Sequence, residues 1–207
     1  MTQWTRGLYA LTDAQLMPDD ATLIDRCESA LSAGIALLQY RDKSGDEGQR
    51  ERQGRALKAL CDHYDTPLII NDDAALAWRL GVGLHLGRSD GSIARARKAL
   101  GPEAIIGATC QGSLEFAEQA AREGASYLAF GRFYPSRTKP DAPPADLSVL
   151  AQAARFELPL VAIGGIDGDN IEATIDAGAD LIALVHGIFG HDDPGAVVRR
   201  LNQAFDR

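Results

Sequence analysis

Basic residues are in short supply in this 207-residue chain: 21 lysines and arginines against 29 aspartates and glutamates leave a formal net charge of −8. A nucleic-acid coat needs a basic stripe to replace the counterions of the phosphate backbone, and the sequence has none. Apolar runs are short too, none approaching the roughly 18 residues of a membrane span. The opening residues, Met1 to Arg6, lead straight into an apolar strand without the hydrophobic centre of a signal peptide, so the cytoplasm is the expected compartment. Cysteine is sparse. Cys27, Cys61 and Cys110 lie far apart with no CxxC spacing, which argues against a zinc site or a disulfide framework and makes them buried small hydrophobes. The two tryptophans, Trp4 and Trp78, read as packing residues. No Gly/Ser linker divides the chain, and its length suits one compact domain over 1–207.

What is present is a pattern that recurs eight times: a short apolar run, a polar tip, then an amphipathic stretch that often ends near glycine. The strand-like runs are Leu8–Leu11, Ile35–Tyr40, Leu68–Ile70, Gly83–Leu86, Ala104–Ala108, Ser126–Phe130, Leu160–Ile163 and Leu181–Val185. They are continuously apolar rather than alternating, as expected of parallel strands covered on both faces. Helical spacing links Leu23, Ile24, Cys27, Ala30 and Leu31, then Ala56, Leu57, Leu60, Cys61 and Tyr64, and finally Val197, Val198, Leu201 and Phe205. Gly34, Gly81, Gly101, Gly124 and Gly178 fall where helices should end. Eight β-then-α units mean a closed barrel or a doubly wound sheet. Polar tips on nearly every strand favour closure, because an open sheet would gather them at its switch point. The expected fold is therefore a (β/α)₈ TIM barrel, with one long irregular segment, 131–145, as a binding loop.

In such a barrel the chemistry sits at the carboxyl ends of the strands. Gln39, Arg41 and Lys43 alternate along the exit of the second strand, so they point the same way and form a donor-rich array for phosphate oxygens. The third and fourth strands end in Asn71-Asp72-Asp73 and in His85-Leu86-Gly87-Arg88-Ser89-Asp90. Carboxylates from adjacent strand ends beside a cationic cluster suggest Mg²⁺ held by few protein ligands plus substrate phosphates. Helix capping is the competing use, expected for Asp73 and open for Asp90. Thr109 brings a hydroxyl to the fifth tip. The segment Gly131–Pro140 adds hydroxyls and Lys139, a composition that suits an anion-binding loop. Gly164-Gly165 and His186-Gly187 occupy the loops after strands seven and eight, the recurrent phosphate site of this fold. His63 and His191 read as surface residues and His85 as a satisfied core histidine.

Taken in order, LLQYRDK (Leu37–Lys43), LIINDD (Leu68–Asp73), GLHLGRSD (Gly83–Asp90), IIGAT (Ile105–Thr109), the S-x-T-K of Ser136–Lys139 and AIGGI (Ala162–Ile166) resemble the thiamine-phosphate synthase family over essentially the whole chain. The resemblance implies a transferase that joins an aminopyrimidine methyl diphosphate to a carboxylated thiazole phosphate. The products would be thiamine phosphate, diphosphate and carbon dioxide, formed through a pyrimidine-methyl cation. It further implies that Gln39, Arg41, Lys43, Asn71, Thr109 and Lys139 hold the pyrimidine diphosphate. Asp72 and Asp90 would bind Mg²⁺, and Ser136, Thr138, Gly165, His186 and Gly187 would hold the thiazole phosphate. Departures from the commoner family pattern are Thr109 for Ser, Ser136 for Thr, Arg132 for Pro, Arg88 for Gln and His186 for Ser. The first two keep the hydroxyl, whereas His186 loses it. The partners expected are small phosphorylated molecules, with neither nucleic acid nor membrane, and a homo-oligomer is compatible with the sequence. The alternatives are a thiazole tautomerase on the same fold, which needs no diphosphate or Mg²⁺ site, and a non-catalytic barrel that binds a phosphometabolite.

Overall fold

A computed structural model describes residues 4–135 and 143–206. Eight parallel strands close on themselves in sequence order, β1 next to β2 and onward until β8 returns to β1. They are β1 (Gly7–Leu11), β2 (Leu37–Tyr40), β3 (Leu68–Asn71), β4 (Gly83–Leu86), β5 (Ile106–Gln111), β6 (Tyr127–Phe130), β7 (Leu160–Ile163) and β8 (Leu181–Leu184). The (β/α)₈ barrel expected from the repeated apolar runs is what forms. β5 runs past its expected end to Gln111, with a register shift against β6 between Thr109 and Gln111.

The connecting helices are α1 (Asp20–Ser32), α2 (Glu47–His63), α3 (Ala74–Leu80), α4 (Ile93–Leu100), α5 (Leu114–Arg122), α6 (Ser148–Ala153), α7 (Ile171–Asp176), α8 (His186–Phe189) and α9 (Pro194–Asn202). Several start on a side-chain oxygen that accepts from an otherwise orphaned backbone N–H: Asp19 for α1, Asp46 for α2, Asp73 for α3, Ser92 for α4, Ser113 for α5 and Asp193 for α9. Asp73 is thus the cap it was expected to be. Asp90 is not one, because Ser92 takes that place, which leaves the Asp90 carboxylate available.

Two apolar layers hold the fold. The larger lies between the strands and the helices and includes Leu8, Leu38, Leu57, Ile70, Leu84, Leu128 and Leu150. The smaller fills the barrel interior with Tyr9, Leu11, Leu37, Ile69, Tyr127, Ala129, Val161, Leu181 and Ala183. Because successive strand residues face opposite sides, each apolar run feeds both layers at once, which is why it does not alternate in polarity. Cys27, Cys61 and Cys110 are all buried. Two readings of packing are corrected. Trp78 is 66% exposed, on the outward face of a short helix. On α2 the inward side is Gln53, Gly54, Leu57 and Cys61, while Ala56 faces solvent. Gln53 is admitted because its Oε1 accepts a 2.6 Å hydrogen bond from the Tyr40 hydroxyl and its amide donates to Asp20 at 2.7 Å.

Candidate functional site

A cavity of about 580 Å³ opens at the carboxyl end of the barrel. Gln39 of β2 lines it together with Arg41 and Lys43 from the loop that follows the strand. Asn71 and Asp72 from β3, Asp90 from the β4 loop and Thr109 from β5 face the same space. Gly165, His186 and Gly187 close it on the far side. Ser136, Thr138 and Lys139 lie outside the described residues.

The second and third strands present opposite charges to each other. Lys43 Nζ reaches Asp72 Oδ2 at 2.5 Å, and Asn71 Nδ2 donates to the same oxygen at 2.7 Å. Burial alone would raise the Asp72 carboxyl, but Lys43, the Gly87 backbone N–H and His85 together pull it below the ordinary carboxylate value. Asp72 sits at φ 62, a left-handed backbone conformation uncommon outside glycine. The Arg41 guanidinium has no protein partner among the described residues, whereas its backbone N–H is held by Thr12 Oγ1 at 2.8 Å. A cation fixed at its root and free at its tip is suited to an incoming anion.

Gly87 is where the two candidate metal ligands meet. Its backbone N–H lies against Asp72, and the Asp90 carboxylate occupies the space where a β-carbon on Gly87 would stand. No cluster of three or more histidine, cysteine, aspartate or glutamate side chains exists among the described residues. The Asp72 and Asp90 carboxylates are hard oxygen donors of the kind that Mg²⁺ takes alongside waters and substrate phosphates. The residues present therefore suit that ion.

The glycine pair after β7 does a job that its sequence did not suggest. A β-carbon on Gly164 would overlap Arg132, and one on Gly165 would overlap the Pro135 carbonyl and Tyr134. The segment after β6 is seated in that space, with Phe133 N donating to Ile163 O at 3.3 Å and Tyr134 N to Gly164 O at 3.0 Å. Ala145 N returns to Arg132 O at 2.8 Å, so the two ends of the long loop are tied together. On the neighbouring side Arg26 of α1 donates to the carbonyls of Phe189 and His191, at 2.5 and 2.6 Å, and fixes the loop after β8.

Beneath these groups runs a set of polar contacts that sequence reasoning missed. Gln39 Nε2 donates to Tyr9 Oη at 2.6 Å, and Tyr9 Oη meets Tyr127 Oη at 2.7 Å. Tyr127 Oη meets His85 Nδ1 at 2.9 Å, and His85 Nε2 meets Thr109 Oγ1 at 2.8 Å. His85 is thus the satisfied core histidine that was expected, and it lines the cavity as well. Gln111, in a left-handed conformation at φ 54, is a further polar lining residue. The one signal that could have pointed to the tyrosines is parity, since Tyr9 stands two residues before the inward-facing Leu11. Leu11, Ala129, Val161 and Ala183 supply an apolar floor.

Comparison with known proteins shows the family and the fold. The family described as thiamine monophosphate synthase matches residues 8–188. A thiamine phosphate pyrophosphorylase from Pyrococcus furiosus superposes with a TM-score of 0.87 at 30% identity, covering 98% of this chain and 96% of the other. KGPDC from Streptococcus mutans (TM-score 0.70, 14% identity, 98% of each chain) shares the fold alone. So does a 3-hexulose-6-phosphate synthase (TM-score 0.66, 18% identity, 96% of this chain and 99% of the other).

Proposed function

The chain belongs to the thiamine monophosphate synthase family, and from that premise we propose that it condenses an aminopyrimidine methyl diphosphate with a carboxylated thiazole phosphate. The products are thiamine phosphate, diphosphate and carbon dioxide. The observation that carries the reading is the convergence of Arg41, Lys43, Asp72 and Asp90 on one cavity whose other wall is glycine-rich loop. A thiazole tautomerase would need only the second half of that arrangement.

The reaction asks the protein to let diphosphate leave and to keep water from the cation that remains. Arg41 and Lys43 neutralise the charge that develops on the departing oxygens, with Lys139 from the long loop as a third cation. Asp72 and Asp90 would hold Mg²⁺, which when bound would supply further positive charge to the diphosphate. Gln39, Asn71 and Thr109 orient the pyrimidine diphosphate. Ser136, Thr138 and the Gly165 and His186-Gly187 backbone hold the thiazole phosphate, with 131–145 acting as the active-site loop of a one-domain barrel. The apolar floor excludes water from the reacting carbon. No protein nucleophile is called for, and Cys110, which follows Thr109 on β5, is unsuited to the role: burial pushes its thiol up to about 12. Phosphorylated substrates of this kind are retained inside cells, and the reading puts the protein in the cytoplasm.

The test is to supply both substrates and follow diphosphate release against magnesium concentration. Release that needs both substrates and saturates with magnesium is expected. Conversion of the thiazole alone would point to a tautomerase, and binding without turnover to a phosphometabolite sensor.

A further inference from the structure

Tyr9, Tyr127 and His85 join two residues of the pyrimidine subsite, Gln39 and Thr109, through an unbroken series of hydrogen bonds across the barrel interior. Tyr9 and Tyr127 are no more than 1% exposed, Gln39 2% and His85 8%. Burial raises both phenols well above their ordinary value, so each keeps its hydrogen. A buried hydroxyl hydrogen must be placed on an acceptor. With a single hydrogen on the His85 ring, these constraints make the whole series directional. The Gln39 amide nitrogen donates to Tyr9. Tyr9 then places its hydrogen on Tyr127, and Tyr127 places its own on His85 Nδ1. His85 must carry its hydrogen on Nε2 and give it to Thr109 Oγ1, which leaves the threonine hydrogen for the cavity. The reverse direction is self-consistent only if the glutamine amide turns over as well. Gln39 acceptor with Thr109 donor, or Gln39 donor with Thr109 acceptor, are therefore the two arrangements the series permits. It forbids the mixed ones.

We propose that Tyr9, Tyr127 and His85 are positioning residues that lock Gln39 as an acceptor and Thr109 as a donor toward the cavity, and that this lock selects an amino-pyrimidine against its oxo counterpart. The proposal rests on the function proposed above and adds the means of ring discrimination. A ring nitrogen or a phosphate oxygen can only accept, so an acceptor in front of Thr109 favours the first arrangement. Through the buried series, that choice obliges Gln39 to face the ligand with its carbonyl oxygen. An amino group donates to that oxygen, whereas an oxo group sets acceptor against acceptor. Gln39 Oε1 has no protein partner among the described residues, as the arrangement requires.

The decisive experiment measures binding of two probes, the monophosphates of the amino- and oxo-pyrimidine methanols, to wild type and to Tyr127→Phe and Tyr9→Phe by calorimetry. In parallel, ¹⁵N NMR reads the His85 tautomer of the wild type at neutral to alkaline pH. Wild type should prefer the amino probe by about 100-fold or more, as sites built to pair a hydrogen-bonding group do. Each phenylalanine variant should narrow that preference by about tenfold, mainly by weakening the amino probe, about the effect of one lost polar pairing. His85 should carry its hydrogen on Nε2. A preference unchanged in folded Tyr127→Phe would overturn the proposal, and so would a His85 hydrogen on Nδ1 or on both nitrogens. Should the variants fail to fold, the wild-type tautomer still decides. Equal binding of the two probes to wild type removes the lock and leaves the proposed reaction standing, whereas binding of neither removes both.

Discussion

The ring of Tyr127 on β6 fills the space in front of Gly107 on β5 where a β-carbon would otherwise stand. Tyr127 is 0% exposed and meets both Tyr9 and His85 through its hydroxyl. A glycine in the middle of a barrel strand is thus a packing requirement of the active-site floor.

Gly107→Ala should push the ring from its place and separate Tyr127 from His85. Overpacking of this kind costs about 1–3 kcal/mol, and the melting temperature should fall accordingly. Turnover should fall by more than the remaining folded fraction explains, because the support for Thr109 is lost. Thermal melts alongside kcat at a temperature well below the melt check this. A variant as active and as stable as wild type would mean that the ring relaxes without cost.

Asp72→Asn and Asp90→Asn should each leave the fold intact and weaken magnesium dependence. If the metal stabilises charge on the leaving diphosphate, each change should lower turnover by about 10²-fold or more, near 3 kcal/mol of transition-state stabilisation. Magnesium titrations of the two variants are the measurement. Midpoints equal to wild type would move the metal site elsewhere.

The Lys43–Asp72 pair carries a pH signature. The Asp72 carboxyl lies below its ordinary value against the opposing effect of burial, and Lys43 is the leading cause of that lowering. A carboxyl lowered on folding contributes stability that is present above its unfolded value, about 3.9, and is lost as pH falls through the folded value. In Lys43→Met the folded value should rise, so that the charged form disappears at a higher pH than in wild type. Carboxyl ¹³C titration of the apo protein reads this directly. An Asp72 titration that does not move would assign the lowering to Gly87 and His85 alone.

Much of this architecture was legible in the sequence, for identifiable reasons. Eight apolar runs, nearly all with polar tips, favoured a closed parallel barrel because an open sheet would gather such tips at its switch point. Gly34, Gly81, Gly101, Gly124 and Gly178, expected to end helices, all take positive φ. Gln39, Arg41 and Lys43 share the cavity as their alternation suggested, although β2 itself ends at Tyr40. What stayed hidden depends on contacts between distant strands. Tyr9 and Tyr127 are 118 residues apart, and each sits in an apolar run where an aromatic residue reads as core. Gln53 is buried on α2 because its acceptor meets Tyr40 of β2, a contact that nothing local to the helix shows. Trp78 looked like core because size and hydrophobicity favour burial, yet its helix turns it outward. The glycines after β7 suggested an anion cradle, since nothing local shows that another loop occupies the same space.

That last point separates two explanations of the thiazole-phosphate side. If Gly164-Gly165 serves mainly to let the chain approach an anion, a methyl group on Gly165 should affect binding of the thiazole phosphate alone. The structure gives Gly165 a second constraint: its φ of 69 is one that side chains adopt with strain, and its missing β-carbon leaves room for Pro135 and Tyr134. Gly165→Ala should therefore unseat the root of the loop that carries Ser136, Thr138 and Lys139, and reduce kcat/KM for both substrates, by about 10²-fold if one cation on the diphosphate is misplaced. His186→Ala should behave differently. With backbone amides as the anion donors, losing the imidazole should raise the KM for thiazole phosphate only a few-fold, about 1 kcal/mol or less. Gly187→Val is the control for crowding within the protein, since its β-carbon would stand 2.9 Å from the Leu184 side chain and 3.1 Å from the Ile166 carbonyl. Its kinetic loss should come with a lowered melting temperature. Steady-state kinetics with each substrate varied in turn, together with melts, distinguish the three. A Gly165→Ala defect confined to thiazole phosphate would restore the anion cradle as the reason for the glycine pair. A loss above about 100-fold, near 2.8 kcal/mol, in His186→Ala would make the imidazole itself the anchor.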